Sequence, residues 1–273
     1  MTEATIAFVG GGNMARSLIG GLRAQTGRFV IRVAEPSSDA REALAQEFGV
    51  DSFENNVTAV DGADVVVLAV KPQVMREACL PLAALARSQR TLWVSIAAGI
   101  RTAQLDTWLS GEQAIVRAMP NTPALIGAGI TGLFANMRAD ALQREFADSI
   151  LRGAGETVWI EREALMDAVT AVSGSGPAYF LLLMEALERA AIEQGLPASV
   201  ARVLVLQTGL GAARMALASD EAASVLRQRV TSPGGTTAAA IAVFEAGGFD
   251  ALVGSAIAAA TRRGVELADG MAD

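Results

Sequence analysis

Residues 5 to 20 have the spacing of a turn that binds a dinucleotide. The run from Thr5 to Val9 is apolar and β-branched, as in a buried strand, and Gly10, Gly12 and Ala15 then occupy the positions of a G-x-G-x-x-A motif. Gly10 would permit the tight turn, Gly12 would let a pyrophosphate approach the backbone, and Ala15 would let the next helix pack closely. Because the first N–H groups of a helix attract phosphate charge, we predict a nucleotide site here. The alternative is a plain glycine-rich turn of some other α/β protein.

A second stretch, Thr231 to Thr237, could hold a small anion. Its sequence, TSPGGTT, places a Pro-Gly-Gly turn in front of a helix and so exposes successive backbone amides. The stretch has no charged side chain, which suits a carboxylate held by N–H groups with the Thr237 hydroxyl nearby. The alternative is an ordinary helix N-terminus capped by a serine or threonine side chain.

Glu35 follows the second predicted strand, where an acidic side chain can accept hydrogen bonds from the 2′-OH of an adenosine ribose. This placement favours NADH. A 2′-phosphate would prefer Arg, Ser or Thr at this point, and Ser37, Ser38 and Arg41 lie close behind. Glu35 could also do no more than open a proline turn, so the choice between NADH and NADPH stays open.

Three further segments carry candidate site residues. Asn56 precedes a helix, where its side chain could contact an adenosine or merely cap the helix. Lys71 ends a central strand, at the edge where open α/β sheets bind ligands, and Pro72 suits the first turn of the next helix. The two prolines between Met119 and Pro123 predict a rigid loop, which either shapes a pocket beside a nicotinamide or is a purely structural turn.

The composition excludes several kinds of chemistry. The chain of 273 residues has no histidine and one cysteine, Cys79, which removes Ser–His–Asp and Cys–His sites and argues against a metal site. A net charge of −7 without a basic block argues against nucleic acid as a partner. We expect no membrane span, because no run of 18 apolar residues is free of charges or turn residues. Glu3 in a basic-free N-terminus argues against a signal peptide, and the lone cysteine suits a cytoplasmic protein.

The first part of the chain alternates strand and helix patterns, which predicts a Rossmann-like, doubly wound parallel sheet over residues 1–162. A helix is predicted from Asp39 to Glu47, ending near Gly49. After Thr5 to Val9, the predicted strands are Arg28–Ala34, Asp64–Val70, Leu92–Ile96, Ile115–Ala118, Gly129–Phe134 and Glu156–Ile160.

Residues 163–273 lose the strand patterns and predict an all-α domain. We expect Ser175 to cap its first long helix, with Pro177 in the first turn. A helix that is apolar on several faces must be buried. Because several such helices occur within about 110 residues, we expect a partner subunit to cover them. The predicted helices are Ala178–Gln194, Ser199–Ala218, Glu221–Arg229, Thr237–Glu245 and Phe249–Met271.

Five motifs make the chain resemble pyrroline-5-carboxylate reductase from end to end. They are FVGGGNMA (8–15), AVKP (69–72), MPNTP (119–123), VSGSGPAY (172–179) and VTSPGGTT (230–237). The resemblance implies reduction of (S)-1-pyrroline-5-carboxylate to L-proline by NADPH or NADH, the last step of proline biosynthesis. It also implies a Rossmann domain, a helical domain that dimerises and binds substrate, and dimers that often assemble into decamers.

The resemblance further implies roles for particular residues. The substrate carboxylate would bind in the turn before the last two helices, with the Thr237 hydroxyl near the ring nitrogen and acting in catalysis. Members vary at the position of Glu35, which would sit poorly beside a 2′-phosphate. The implied cofactor-binding residues are Gly10, Gly12, Asn13, Met14, Glu35, Asn56, Val70, Lys71, Pro72 and Asn121. The implied substrate-binding residues are Ser232, Gly234, Gly235, Thr236 and Thr237.

The expected mechanism needs no histidine. A cyclic imine is basic enough to be protonated near neutral pH, and its carbon then accepts hydride, so orientation supplies much of the rate. The alternatives are another imine reductase or a β-hydroxyacid-dehydrogenase-like enzyme, and a nucleotide-sensing protein without activity. β-Hydroxyacid dehydrogenases usually employ a lysine on the long interdomain helix, and the predicted helix Ala178–Gln194 contains no lysine.

Overall fold

The computed structural model describes residues 3–25 and 29–271. The chain forms two compact units. The first contains the residues up to Ser175 and those from Ala259 onward, and the second is Gly176–Ala258.

The first unit is built on one mixed eight-stranded sheet in the order β3-β2-β1-β4-β5-β6-β7-β8. Among the described strands, neighbours are parallel except β6 and β7, which are antiparallel. The strands are β1 (Ala4–Val9), β2 (Phe29–Ala34), β3 (Asp51–Phe53), β4 (Val65–Leu68), β5 (Leu92–Ser95), β6 (Ala114–Met119), β7 (Gly129–Ala135) and β8 (Gly155–Trp159).

Two features of this sheet differ from the sequence-based expectation. The sheet is not wholly parallel, because β6 and β7 are joined only by a 3₁₀ helix, Thr122–Ile126, which is too short for the crossover that parallel neighbours need. The three-residue strand β3 was not predicted, since its half-exposed residues carry no apolar run. Arg28, the predicted first residue of β2, lies outside the described residues.

The central strands of the sheet are buried on both faces. Ile6 and Phe8 pack into one core layer, whereas Ala7 and Val9 pack into the layer on the other face, as the two-residue period of a strand requires. The helices that cover the sheet are α1 (Asn13–Ala24), α2 (Ser38–Phe48), α3 (Asn56–Val60), α4 (Met75–Cys79), α5 (Ala83–Ser88), α6 (Thr102–Trp108), α7 (Ala141–Leu151) and α8 (Met166–Val169).

Helix α2 shows how local chemistry sets an element's limits. The Ser37 hydroxyl accepts the N–H of Ala40 and begins the helix, and Gly49, at φ +61°, ends it in the left-handed conformation. The predicted helix therefore exists, with one more residue at each end.

The second unit is helical, and much of its apolar surface is uncovered in the single chain. Five of its large apolar side chains are between 65% and 87% exposed: Phe180, Leu182, Val203, Leu217 and Val243. By length and composition α10 could span a bilayer, and α12 with α13 could do so as one bent pair. The long helices are α9 (Gly176–Glu193), α10 (Ala198–Leu217) and α13 (Phe249–Asp269), and the shorter ones are α11 (Ala223–Arg229) and α12 (Thr236–Ala246).

The run from Glu163 to Ser175 packs with the sheet and belongs to the first compact unit, whereas the predicted domain limit after residue 162 stays a prediction. Buried Arg117 of β6 lies 3.6 Å from Glu163 and 3.4 Å from Asp167, and Glu163 also accepts the N–H and hydroxyl of Thr102. The end of α13 belongs to this unit for a similar reason, since Asp269 pairs with Arg101 at 2.6 Å.

Ser175 does not cap α9, contrary to the prediction. A short 3₁₀ helix (Glu163–Leu165), α8 and a π-helical turn (Thr170–Gly174) lead directly into α9. Ser175 has helical backbone angles, and its N–H donates to the carbonyl of Thr170 at 2.8 Å. Because the backbone before α9 is already helical, there is no free helix start for Ser175 to cap.

Candidate cofactor and substrate sites

The glycine loop between β1 and α1 has the predicted strand–turn–helix geometry. Gly10 has a φ of +99°, and a Cβ there would lie 2.9 Å from the carbonyl oxygen of Ala69, so only glycine fits this turn. A Cβ on Gly12 would meet nothing within 4 Å, which leaves open space above the backbone. Ala15 is 1% exposed and packs against the sheet.

The amides at the start of α1 are available to an anion. Gly12 precedes the helix, and the N–H of Arg16 makes the first helical bond, to the carbonyl of Gly12. Within the described chain, the N–H groups of Asn13, Met14 and Ala15 have no acceptor and no side chain caps the helix. Three free amides at a helix N-terminus, next to the open space at Gly12, suit a pyrophosphate.

Glu35 is fixed at the side of this loop. One of its carboxylate oxygens accepts the N–H of Gly11 at 3.1 Å, and the other accepts the N–H of Ser37 at 3.1 Å. The carboxylate therefore does more than open the proline turn, because it is held against the glycine loop from 24 residues away in sequence.

A cleft of about 640 Å³ extends from the glycine loop along the carboxyl ends of the central strands. It brings together several predicted cofactor-binding positions, and its volume is in the range of small-molecule sites. Its lining includes Gly10, Gly12, Glu35, Asn56, Val70 and Lys71, together with Glu54, Asn55 and Glu77, which the sequence reasoning missed.

Asn55 and Asn56, which lie on either side of the start of α3, divide the roles that were considered for Asn56 alone. The Asn55 side chain caps the helix, since its oxygen accepts the N–H groups of Val57 (2.8 Å) and Thr58 (3.4 Å). The capping interpretation of Asn56 is therefore wrong. Its amide has no partner in the described residues and borders the cleft, where it can meet a ligand.

Lys71 and Pro72 lie where β4 leaves the sheet. Lys71 has extended backbone angles, and Pro72 begins a 3₁₀ turn, Pro72–Val74, which confirms its predicted first-turn position. The Lys71 side chain is exposed at the cleft, and among the described residues it has no ion-pair partner.

Asn121 has a structural task that the sequence did not reveal. Its side-chain nitrogen donates to the carbonyl of Ser173 at 3.1 Å, and its oxygen accepts the N–H of Ile130 at 3.0 Å. The segment around it is a short 3₁₀ helix and not an irregular loop. These bonds support the structural-turn interpretation, and the proposed contact of Asn121 with a cofactor stays a prediction.

The turn before α12 presents uncapped amides in the second unit. Gly234 has a φ of +74°, the N–H of Gly235 donates to the carbonyl of Ser232 at 3.0 Å, and α12 begins at Thr236. In the described residues no side chain caps this helix, so the capping interpretation is not supported. The N–H groups of Thr236, Thr237 and Ala238 have no acceptor there, and the two threonine side chains are exposed.

This geometry refines the predicted anion site. The amide of Gly235 is used to close the turn, and Ala238 supplies a free amide that the sequence reasoning did not include. Three amides at the start of an 11-residue helix are a suitable place for a carboxylate.

Comparisons with known proteins identify the family of the chain. Residues 163–267 match the family model described as pyrroline-5-carboxylate reductase dimerisation, and residues 5–99 match the model of an NADP oxidoreductase, coenzyme F420-dependent. A pyrroline-5-carboxylate reductase from Pseudomonas aeruginosa is 52% identical over 270 residues, covering 98% of both chains.

Two solved structures extend the agreement to the fold. The structure of a pyrroline-5-carboxylate reductase from Coxiella burnetii has a TM-score of 0.94 and 43% identity, over 97% of this chain and 99% of that one. A Plasmodium falciparum pyrroline carboxylate reductase with NADP bound has a TM-score of 0.85 and 28% identity, over 98% of this chain and 99% of that one.

A dinucleotide-binding sheet followed by a helical dimerisation domain defines an NAD(P)H-dependent oxidoreductase. The dimerisation match implies a homodimer, in which the apolar helices of the second unit have a partner. With end-to-end identity of about half its residues to a curated member, the chain belongs to the pyrroline-5-carboxylate reductase family. The predicted family and fold class are confirmed.

Proposed function

We propose that the cleft of the first unit holds the nicotinamide dinucleotide and that the start of α12 holds the carboxylate of pyrroline-5-carboxylate. Family membership gives the reaction, the NAD(P)H-dependent reduction of pyrroline-5-carboxylate in proline biosynthesis. The observation that carries this conclusion is the 52% identity over 98% of both chains.

The cofactor site rests on the geometry of the glycine loop. The pyrophosphate binds above Gly12, on the free amides of Asn13 and Met14. The adenosine lies between Glu35 and Asn56, and the segment Val70 to Pro72 contacts the remainder of the dinucleotide through the Lys71 ammonium group.

The substrate site rests on the uncapped start of α12. The carboxylate accepts the N–H groups of Thr236 and Thr237, while Ser232, Gly234 and Gly235 form the turn that aims these groups. A site made of backbone dipoles fits a substrate with one negative charge, because it binds the anion without introducing a full positive charge beside the imine.

This chain contributes orientation to the chemistry. The bound nicotinamide supplies the hydride, and the protonated C=N group of the substrate accepts it at carbon. The chain has no histidine to serve as an acid. Thr237 anchors the carboxylate through its N–H, and its hydroxyl lies near the ring nitrogen, so that its catalytic contribution is to hold the ring in line.

The first experiment follows the oxidation of NADH and of NADPH on addition of pyrroline-5-carboxylate, together with the formation of proline. Rapid oxidation with equimolar proline is the expected result. No oxidation with either cofactor, in a folded dimer, would rule out the assignment.

Substitution of Thr237 tests its role as a positioning group in the active site. Thr237→Ala should lower kcat/KM by roughly 10- to 100-fold, because misplaced reactants lose much of the advantage of orientation. Thr237→Ser restores the hydroxyl and should recover most of the activity. If Thr237→Ala is completely inactive while both ligands bind normally, Thr237 supplies an essential chemical step and the orientation mechanism is wrong.

We extend the proposal to assembly and location. The dimers associate into a decamer, and the protein works in the cytoplasm, where a buried free thiol such as Cys79 persists. Light scattering should give ten times the 28.2 kDa chain mass. A particle of only two chains at micromolar concentration would limit the assembly to the dimer.

A further inference from the structure

We infer that Glu35 makes this enzyme select NADH over NADPH. The inference rests on the proposed placement of the dinucleotide in the cleft of the first unit. The Plasmodium falciparum relative was solved with NADP bound, so the inference concerns a difference between this chain and that relative.

The position of Glu35 is set by the ends of three strands. The carbonyl of Ala34, the last residue of β2, accepts the N–H of Gly10 at 2.9 Å, and the N–H of Glu35 donates to the carbonyl of Phe53 at 2.9 Å. The backbone of Glu35 therefore lies beside the glycine loop, and Glu35 lines the cleft that extends from this loop. In a dinucleotide fold, this is where the adenosine ribose lies.

The carboxylate is already oriented without a ligand. Each oxygen accepts one backbone N–H, from Gly11 or from Ser37. A carboxylate oxygen has a second lone pair, so both oxygens can still accept a ribose hydroxyl. The 2′-OH and 3′-OH of NADH would complete the hydrogen bonding of Glu35 without moving it.

A 2′-phosphate at the same place would have to displace the Glu35 carboxylate from its two backbone N–H donors. If the Glu35 side chain turned away, the N–H of Gly11 would lose its acceptor in a partly buried position. The loop cannot readily follow, because Leu44 packs so closely that a Cβ on Gly11 would lie 2.5 Å from its Cδ1 atom.

The charge of the cleft also opposes a second anionic group. Its described lining contains three carboxylates, Glu35, Glu54 and Glu77, and one cation, Lys71, which is the only lysine in the whole sequence. A phosphate adds up to two negative charges. At about 4 Å from a carboxylate, even a water-like dielectric makes that repulsion worth on the order of tenfold or more in affinity.

The residues that would suit a 2′-phosphate are already engaged in the turn. The Arg41 guanidinium donates to the carbonyls of Glu35 (2.7 Å) and Pro36 (2.8 Å). The Ser37 hydroxyl accepts the N–H of Ala40 at the start of α2, and the Ser38 hydroxyl donates to Asp39. These contacts stabilise the turn around Glu35 and leave the carboxylate as the group that faces the ribose.

The test is the ratio of kcat/KM with NADH to kcat/KM with NADPH, in the wild-type dimer and in Glu35→Ser. The wild-type ratio should exceed 10. Glu35→Ser removes the carboxylate, introduces a hydroxyl and opens space beside Ser37, Ser38 and Arg41, so the ratio should fall at least tenfold. Glu54→Gln, a matched removal of one negative charge from the same cleft, should change the ratio by less than about threefold.

Binding measured by nicotinamide fluorescence separates this inference from the proposed reaction. The Kd values of NADH and NADPH should follow the same ratios, and they can be measured even if pyrroline-5-carboxylate is not turned over. A wild-type preference for NADPH would overturn the inference, as would an equal shift in Glu54→Gln and Glu35→Ser. Failure of both dinucleotides to bind would overturn both the inference and the proposed site.

Discussion

The two compact units differ in where their apolar side chains pack. In the first unit the central strands are covered on both faces, and residues such as Phe8, Val67 and Trp93 have no exposed surface. In the second unit large apolar side chains of α9 and α10 stand open, with Leu182 at 66% and Val203 at 65% exposed. The first unit completes its core within one chain, whereas the second requires another chain.

Because of this contrast, the two proposed sites differ in the part of the protein that supports their geometry. The proposed cofactor cleft is framed by strands whose core is closed, so its geometry is set by the single chain. The amides at the start of α12 belong to a unit whose helices expose apolar faces, so their support depends on dimerisation. We therefore expect assembly to affect substrate binding more than cofactor binding.

The largest expected effect comes from placing a charge on the open face of the second unit. Leu182→Glu should dissociate the dimer, because a buried unpaired carboxylate costs about 3 kcal/mol or more and each dimer carries two copies. Light scattering should show particles of one chain, and pyrroline-5-carboxylate reduction should fall steeply while NADH binding is largely kept.

Met137→Glu is the matched control for this experiment. Met137 is 99% exposed in the first unit and lies outside the dimerisation match, so the same new charge should leave the dimer intact. A stable, active Leu182→Glu dimer would show that this face of α9 is not covered by the partner.

A smaller effect is expected from a cavity in the closed core. Trp93 is fully buried in β5, and its indole N–H donates to Gln113 at 3.1 Å. Trp93→Ala should lower the free energy of unfolding by about 3–5 kcal/mol, since it removes a large core side chain and leaves the Gln113 oxygen without its donor. Urea unfolding should report this loss at any protein concentration.

Phe180→Ala provides the contrasting variant in the second unit. Phe180 is 68% exposed in the single chain, so its removal should weaken the dimer and show an effect that grows on dilution. A loss below 1 kcal/mol for Trp93→Ala, or a dilution-independent loss for Phe180→Ala, would contradict the division between a closed and an open core.

The smallest effect concerns Cys79, which lies in the closed core of the first unit. Burial raises the pKa of its thiol from 9.0 to about 12. A thiol reagent at pH 8 should therefore leave the native protein unlabelled and react with one thiol per chain in denaturant.

The same pKa shift gives a direction to the pH dependence of stability. The unfolded thiol loses its proton near pH 9 and the folded one only near pH 12, so stability falls with rising pH across this interval, by up to about 1.4 kcal/mol per unit. Cys79→Ala should remove this contribution. Rapid labelling of the native protein at pH 8 would contradict the burial of the thiol.

Much of the fold and of the site could be predicted from local patterns. The β-branched runs predicted seven of the eight strands, and the glycine spacing predicted the turn that Gly10 makes at φ +99°. Helix α2 was predicted to within one residue at each end, and Gly49, where it was expected to stop, ends it in the left-handed conformation. Each of these features depends on residues adjacent in sequence.

Other features depend on tertiary contacts or on the exact limits of an element, which the sequence pattern did not reveal. The side-chain nitrogen of Asn121 donates to the carbonyl of Ser173, 52 residues further along the chain. Asn55 and Asn56 carry the same side chain at adjacent positions, and only the start of α3 determines which one caps it. The antiparallel direction of β7 depends on the short connection between β6 and β7, which the sequence pattern around the two prolines did not reveal.

The sequence by itself determined the chemistry available to this protein: no histidine, one lysine, one cysteine, a dinucleotide-type glycine loop and a Pro-Gly-Gly turn before a helix. These follow from residue types and short spacings, which set backbone conformation locally. Only the tertiary structure decided which amides remain free, that Glu35 is fixed against Gly11, and which apolar helix faces stay uncovered in one chain. Those properties depend on which distant groups pack together, because a donor is free or used, and a side chain buried or exposed, only in the folded molecule.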